Sequence, residues 1–278
     1  MSIAAADYIA GLAKGLAVLE AFDTERQRLN ATLAAQRTGL TRAAARRHLL
    51  TLAHLGYLES DQGYYWLSPK VLRLAGSYLA SARLPRLVQP VLDRLAARTR
   101  ASFSVAVLEG EAVVVVARSV PALGTVDPAD DTSLGAPAWR PASRWLAHGL
   151  HLGARLPAHA TSTGRVLLAA LPAEAFEQWL RARTEACGAL PRLTPYTVTQ
   201  PAALRRIIAR VRADDHCLCS EEHELGVHAL AVPLRDTRGT VVAALNAVAS
   251  SPRRAAVETL RTLLPLLHEA ALELRPLL

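Results

Sequence analysis

The chain has 278 residues, of which 51% are hydrophobic and 20% charged, enough apolar material for two cores and too little charge for wholesale disorder. A formal charge of +8 and a pI near 10.0 are compatible with an anionic partner without identifying one. The longest strongly apolar run, Ala112 to Ala117, falls far short of a membrane span, and no signal-peptide core follows the N-terminus, so a cytoplasmic protein is expected.

In chain order, Leu12, Leu16, Leu19 and Phe22 fall on one face of a first helix running from Ile9 to Phe22. Asn30 is a good N-cap for a short second helix through Arg37, with Leu33 as its inward anchor. Thr38-Gly39 turns the chain and Thr41 caps a third helix. On that helix Ala45, Leu49, Leu52 and Leu55 can pack inward, leaving Arg42, Ala43, Arg46, Arg47, His48 and Thr51 for the other faces. From Arg37 to Leu58 there are four arginines and no acid, while Glu20, Asp23 and Glu25 precede the segment and Glu59 and Asp61 follow it. A basic helix between acidic flanks is what a phosphate-facing surface looks like in sequence. Gly56 stops this helix, and Tyr57 to Leu67 reads as a hairpin turning at Asp61-Gln62-Gly63. Short helix, turn, basic helix and hairpin form the order of a winged helix-turn-helix, whose second helix enters the DNA major groove.

Leu67 to Ala82 is helix-prone, Pro85 is expected to break it, and Val88 to Thr99 forms another helix. Strands are expected at Ser102–Leu108 and Ala112–Ala117, joined at Glu109-Gly110-Glu111. A helix capped by Thr161 or Ser162 should begin near Gly164 and run to Leu171, followed by helices at Ala173–Arg183 and Pro201–Arg212. Strands at His216–Ser220, Ala229–Leu234 and Val241–Ala249 and a closing helix from Pro252 to about Leu274 complete the pattern. Strands and helices without regular alternation predict an α+β domain with an antiparallel sheet. The expected division is therefore residues 1–68 as the winged helix-turn-helix, 69–84 as a linker helix, and 85–278 as an effector-binding and oligomerisation domain.

The three cysteines, Cys187, Cys217 and Cys219, exclude a disulfide framework. Cys217-x-Cys219, with His216, His223 and His228 near it, lacks the usual zinc spacing, so no metal is expected. No cofactor motif, nucleophile elbow or metalloprotease signature occurs, and Glu221, Glu222 and Glu224 have no matched acid–base partner, so no catalytic residue is assigned and they read as a structural strand-to-loop element. Ser162-Thr163-Gly164 offers hydroxyls and free backbone N–H groups at a helix start, which suits a carboxylate, although such caps also occur without a ligand.

Several blocks resemble the IclR family of transcription regulators. They are Tyr8 to Leu19, Thr38 to Leu52, Gly56-Tyr57-Leu58 and Leu67 to Leu72, then Leu152 to Ala169, Ser220 to Gly226, Ala231 to Asp236 and Val241 to Asn246. The likeness is greatest to the branch that controls the beta-ketoadipate pathway of aromatic-acid breakdown. It implies a winged helix-turn-helix joined to a GAF-like sensor and a homodimer or tetramer on a pseudo-palindromic double-stranded DNA operator. It also implies control by an aromatic or keto carboxylic acid. On this reading Thr41, Arg42, Ala43, Arg46, Arg47 and His48 face DNA. By the same resemblance Ser162, Thr163, Gly164, Cys219, Ala229, Asn246 and Val248 line the effector pocket, and Asn246 fits either a ligand contact or a satisfied core amide. Family members often carry an acid where Cys219 stands. An insert at about 122–148, with Trp139, Arg140, Arg144 and Trp145, departs from the family pattern; it either caps the pocket or extends an oligomer contact. Two other readings remain beside this one: a DNA-binding protein without a ligand, and an enzyme acting on a small carboxylic acid.

Overall fold

The computed structural model describes residues 4, 6–23, 26–99, 101–119, 151–185, 187–250 and 253–278. The expected insert at 122–148 and its tryptophans and arginines lie outside the described residues, as does Pro252. The chain divides into two compact units, Met1–Ala82 and Arg83–Leu278.

In the first unit, α1 (Ala10–Glu20), α2 (Ala31–Thr38) and α3 (Arg42–His54) precede a hairpin of β1 (Leu58–Asp61) and β2 (Tyr64–Leu67). Asn30 Oδ1 accepts the N–H groups of Thr32 and Leu33 at 3.1 and 3.0 Å, and so starts α2. Gly39 ends α2 at φ 69°. Gln62 and Gly63 both take positive φ, 47° and 81°, the sense of turn whose twist suits a two-residue hairpin. A bridge between Leu29 and Tyr65 adds a third chain segment to that sheet. The core joins Val18, Phe22, Leu29, Ala45, Leu49 and Leu58. Two sequence expectations fail here. Leu12 is 61% exposed and Leu16 is also exposed, because the stripe is covered only at its C-terminal end, where Leu19 and Phe22 pack with Val18 and Ala21. Leu55 is 49% exposed because it falls on the C-cap of α3, where the helical register that would have turned it inward has ended. A 3-10 turn at Pro69–Val71 leads into α4 (Leu72–Ser81).

In the second unit, α5 (Arg83–Thr99) starts where Ala82 takes an extended conformation, ψ 125°. The expected break at Pro85 is therefore misplaced. Pro85 sits in the first turn of α5, where backbone N–H groups have no intrahelical acceptor and proline forfeits nothing. Then follow β3 (Ser102–Glu109), β4 (Ala112–Ser119), β5 (Arg155–Pro157), a 3-10 turn at Ala158–Ala160, α6 (Ser162–Ala170), α7 (Ala173–Thr184) and α8 (Pro201–Asp214). The chain closes with β6 (Cys217–Ser220), β7 (Val227–Arg235), β8 (Val241–Ser250) and α9 (Arg253–Leu274). The six strands pair in the order β5-β4-β3-β8-β7-β6, every pair antiparallel, as the α+β reading requires.

Alternation along each strand sends residues to opposite faces. Phe103, Val105, Leu230, Val232, Leu245 and Ala247 pack with α5 and α9 on one side. Ala106, Ala231, Ala244, Cys217 and Cys219 pack with α6, α7 and α8 on the other. This second face, with α6 laid over it, carries the residues expected to hold a ligand. Among the described residues, no helix is long and apolar enough to cross a membrane.

Candidate functional site

On α3 the charged and apolar residues separate by face. Thr41, Arg42, Ala43, Arg46 and Arg47 are exposed, whereas Ala45, Leu49 and Leu52 are buried. Arg42 lies one turn from Arg46, and Ala43 one turn from Arg47, so small and basic side chains share one surface. The Thr41 hydroxyl is committed to its own helix, accepting the Ala44 N–H at 3.2 Å. His48 is half-buried, and its Nδ1 lies 3.8 Å from where a Cβ on Gly15 would stand, so its ring leans toward α1.

Three other cations of this unit have internal partners. Arg37 pairs with Asp23, Arg28 lies 4.6 Å over the Trp66 ring, and Lys70 Nζ donates to the Leu55 carbonyl at 2.7 Å. Among the described residues, Arg42, Arg46 and Arg47 take part in no ion pair. A helix face with three guanidinium groups outside any ion pair and slim side chains between them has the chemistry to meet phosphates and base edges.

In the second unit, Thr161 starts α6 by accepting the Gly164 N–H at 3.2 Å. The backbone there runs against the preceding 3-10 turn so closely that a Cβ on Gly164 would stand 2.2 Å from the Ala158 carbonyl oxygen. Glycine is required for this approach. Of the backbone N–H groups that Ser162-Thr163-Gly164 was expected to offer a ligand, that of Gly164 is taken up by the cap. What the helix start does hold is the Ser162 hydroxyl, 1% exposed and without a hydrogen-bond partner among the described residues. Thr163 is buried beside it.

The expected sheet residues do gather on the α6 side. Cys219 pairs with Ala229, and Ala229 with Val248, making one row across β6, β7 and β8. Asn246 lies two residues before Val248 on β8, and its Oδ1 accepts from Ser104 Oγ at 2.5 Å. Its amide oxygen is thus satisfied within the sheet.

The centre of the site is a residue that the sequence reading passed over. Arg165, 2% exposed, lies in the first turn of α6 and forms a two-pronged ion pair with Glu222, Nη1 to Oε1 at 2.6 Å and Nη2 to Oε2 at 2.5 Å. Its Nε donates to the His159 carbonyl at 2.8 Å, and Nη1 lies 3.3 Å from Cys219 Sγ. Four contacts of this kind use most of what a guanidinium can donate. Glu222 Oε2 also accepts the Val198 N–H at 3.0 Å, while the Thr197 and Thr194 hydroxyls donate to the carbonyls of Glu222 and Glu221, each at 2.6 Å. The loop after β6 is therefore fastened both to α6 and to the 194–198 segment. A lone arginine beside Val166-Leu167-Leu168, with three acids clustered some fifty-five residues later, was the only available sign.

Electrostatics follow from this burial. Desolvation would lower the Arg165 pKa, but Cys219 and Glu222 more than offset it and the pKa is raised, so Arg165 is held as a cation. The hydrogen bond from Cys217 and the charge of Arg165 together pull the Cys219 thiol below its usual pKa against the effect of burial. Cys217, bonded to Cys219 and buried, is pushed well up. His159, whose ring nitrogen donates to the Pro191 carbonyl at 2.9 Å, has its pKa lowered by burial, as does His223. A shallow cleft of about 100 Å³ lies at the other end of α6, between Ala169, Arg212, Pro233 and Arg235. It is smaller than pockets that hold an organic ligand. Among the described residues, no three His, Cys, Asp or Glu side chains converge as a metal site would need.

Comparison with known proteins gives two matches by domain. Residues 11–62 match the IclR helix-turn-helix domain, and residues 142–275 match the bacterial transcriptional regulator IclR C-terminal domain. The chain is 46% identical over 272 residues to the Pca operon regulatory protein of Acinetobacter baylyi, covering 98% of this chain and 90% of that one. It is 48% identical over 271 residues to the p-hydroxybenzoate hydroxylase transcriptional activator of the same organism, covering 98% and 92%. An IclR homologue from Microbacterium hydrocarbonoxydans, crystallised with 4-hydroxybenzoate, superposes with a TM-score of 0.63 at 30% identity, covering 95% of this chain and 96% of that one.

Proposed function

The chain belongs to the IclR family of bacterial transcription regulators, and from that premise we propose that it binds specific DNA through α3 and responds to a hydroxybenzoate-type aromatic acid held in its second unit. The observation that carries the effector half is the Ser162 hydroxyl, buried and unpartnered at the start of a helix. A carboxylate there gains the helix dipole and fills an orphaned donor, and the cationic Arg165 stands one turn away. Thr163, Gly164, Cys219, Ala229, Asn246 and Val248 form the floor and edge of the same site in this reading. Arg42, Arg46 and Arg47 supply phosphate or guanine contacts, Ala43 permits close approach, and Thr41 and His48 hold the helix in place more than they touch DNA.

Regulation, rather than turnover, is the role of the second unit. The protein acts in the cytoplasm as a homodimer or a tetramer, so that two copies of α3 meet the half-sites of a pseudo-palindrome. The exposed apolar residues at the start of α1 (Leu12, with Tyr8 and Ile9 just before it) and along α4 (Leu72, Leu74, Tyr78) favour a second copy as their cover. Residues 69–84 link the two functions, and the ligand acts by preferring one setting of the paired DNA-binding domains.

Thermal unfolding against a panel of acids tests the effector reading. At a hundred times its dissociation constant, a ligand of the folded state adds about 2.7 kcal/mol. A shift with 4-hydroxybenzoate or protocatechuate that disappears in Ser162→Ala supports the site. A shift that Ser162→Ala leaves unchanged removes Ser162 from it, and no shift with any aromatic or keto acid removes the effector class.

A further inference from the structure

Acid binding uses Cys219 only as a wall of the site and gives its neighbour Cys217 no role. The two cysteines project from β6 onto the same face of the sheet, and their sulfurs stand 3.9 Å apart. Two residues of extended strand place their Cα atoms about 6.6 Å apart, at the long end of what a disulfide spans. Closing the bond therefore requires β6 to bend. Among the described residues β6 lies at the edge of the sheet and pairs only with β7, so it can bend without disrupting a second ladder. Beside Cys219, at 3.3 Å, lies a guanidinium that can act as counter-ion to a thiolate.

We propose that Cys217 and Cys219 form a peroxide-sensitive dithiol, whose oxidation to an intrastrand disulfide loosens the Arg165–Glu222 pair. The Cys219 thiolate attacks one oxygen of hydrogen peroxide, the O–O bond breaks, and hydroxide leaves and takes up a proton as water. Cys219 is then a sulfenic acid. The Cys217 sulfur, losing its proton, attacks the Cys219 sulfur; the S–O bond breaks and the oxygen departs as a second water. Two thiols and one peroxide give one disulfide and two waters, and a small thiol or dithiothreitol reverses the change. Burial of both sulfurs admits only small oxidants, through opening of the edge strand. The disulfide removes Cys219 as a partner of Arg165. The bend reaches Glu222 three residues on, through Glu221, which already holds a left-handed backbone at φ 59°.

The test uses the full-length chain carrying Cys187→Ser, because Cys187 is exposed and would link chains. Reduced protein is treated with hydrogen peroxide, alkylated in denaturant, and weighed before and after dithiothreitol. The expected result is a reversible loss of about 2 Da, mapped to one peptide holding both cysteines, and loss of both alkylation sites. Cys217→Ser should stop at a sulfenic acid on Cys219 that dimedone traps, whereas Cys219→Ser should leave Cys217 unoxidised. Oxidation should lower the midpoint of thermal unfolding in the parent chain and leave Glu222→Gln unmoved. Alanine in place of serine at either cysteine serves as the second variant should serine disturb folding. No 2-Da loss, or equal reactivity of the two single variants, overturns the dithiol; an equal midpoint shift with and without Glu222 overturns its link to Arg165. Neither readout uses effector or DNA, so both stand apart from the fate of the effector reading.

Discussion

Replacing Glu222 by Gln strips the counter-charge from a guanidinium that is 2% exposed. Removing one member of a buried pair costs about 3–5 kcal/mol, because the remaining charge is stranded away from water. Two features place this case at the low end of that range. Arg165 keeps its bonds to the His159 carbonyl and Cys219 Sγ, and the Glu222 side chain, 11% exposed, leaves water a route to the gap. The amide oxygen of the substituted side chain can replace only one of the two carboxylate oxygens, while its NH2 group faces the other guanidinium nitrogen. A loss of about 3 kcal/mol is therefore expected, which in a unit of this size lowers the unfolding midpoint by roughly 6–12 °C. Scanning calorimetry of the full chain, read at the transition of the second unit, measures it. The exposed pair Arg205–Glu177 is the control, and Glu177→Gln should leave the midpoint unchanged. A loss below about 1 kcal/mol for Glu222→Gln, the range of surface pairs, would refute the view that Arg165 depends on Glu222 for its charge.

Gly164→Ala should be more damaging than its size suggests, since the added methyl meets backbone atoms of Ala158 at 2.2–2.6 Å that no side-chain rotation can clear; expression and circular dichroism should show a unit destabilised by about 3 kcal/mol or more, and near-parental stability would contradict the packing. Arg46→Ala should weaken operator binding by about 1–3 kcal/mol if Arg46 makes a bidentate base contact, or lower the salt slope by about 1 if it meets a phosphate; fluorescence anisotropy at several salt concentrations separates the two, and unchanged affinity and slope remove Arg46 from the interface. Stability should also fall in acid. The folded pKa values of His159 and His223 lie below the ordinary 6.5, so just under that pH the unfolded chain binds more protons than the folded one. The contribution is intact above pH 6.5 and fades as pH drops toward the lowered values, by at most about 1.4 kcal/mol per pH unit for each histidine. His159→Gln should flatten that slope in calorimetry between pH 7 and 5, and an unaltered slope would rule His159 out as its source.

The parts of this fold that local chemistry specifies were legible. Asn30 and Thr41 start α2 and α3 as their side chains dictate, and Gln62-Gly63 sets the hairpin. The basic face of α3 could be read because charge and helical period agree there. Periodicity misled on α1, where Leu12 and Leu16 share a stripe with Leu19 but lie in solvent, since an apolar stripe does not say whether its own domain or a partner covers it. β5 escaped notice because three residues carry too little alternation to register, and its strand character comes from pairing with β4. For the site, the sheet residues were found by resemblance and do share a face. Arg165 was missed for a physical reason. Its role depends on a carboxylate fifty-seven residues away, and no local propensity records such a pairing.

Stability alone gives a poor account of why that pairing exists. Buried ion pairs are commonly matched or bettered by apolar residues of similar volume, because desolvation consumes most of the Coulomb gain. What apolar side chains lack is direction. Arg165 binds the 3-10 turn through the His159 carbonyl, β6 through Cys219 and the following loop through Glu222, each along a fixed N–H vector. Those three segments surround the start of α6, where the Ser162 hydroxyl has no partner among the described residues. If positioning is the function of the pair, Arg165→Met with Glu222→Leu should fold about as stably as the parent chain, recovering the loss seen in Glu222→Gln. It should nevertheless lose most of the midpoint shift produced by the acid that stabilises the parent chain, because apolar contacts would let the three segments slide. A double variant that kept the full shift would show that packing, without the fork of hydrogen bonds, suffices to shape the site.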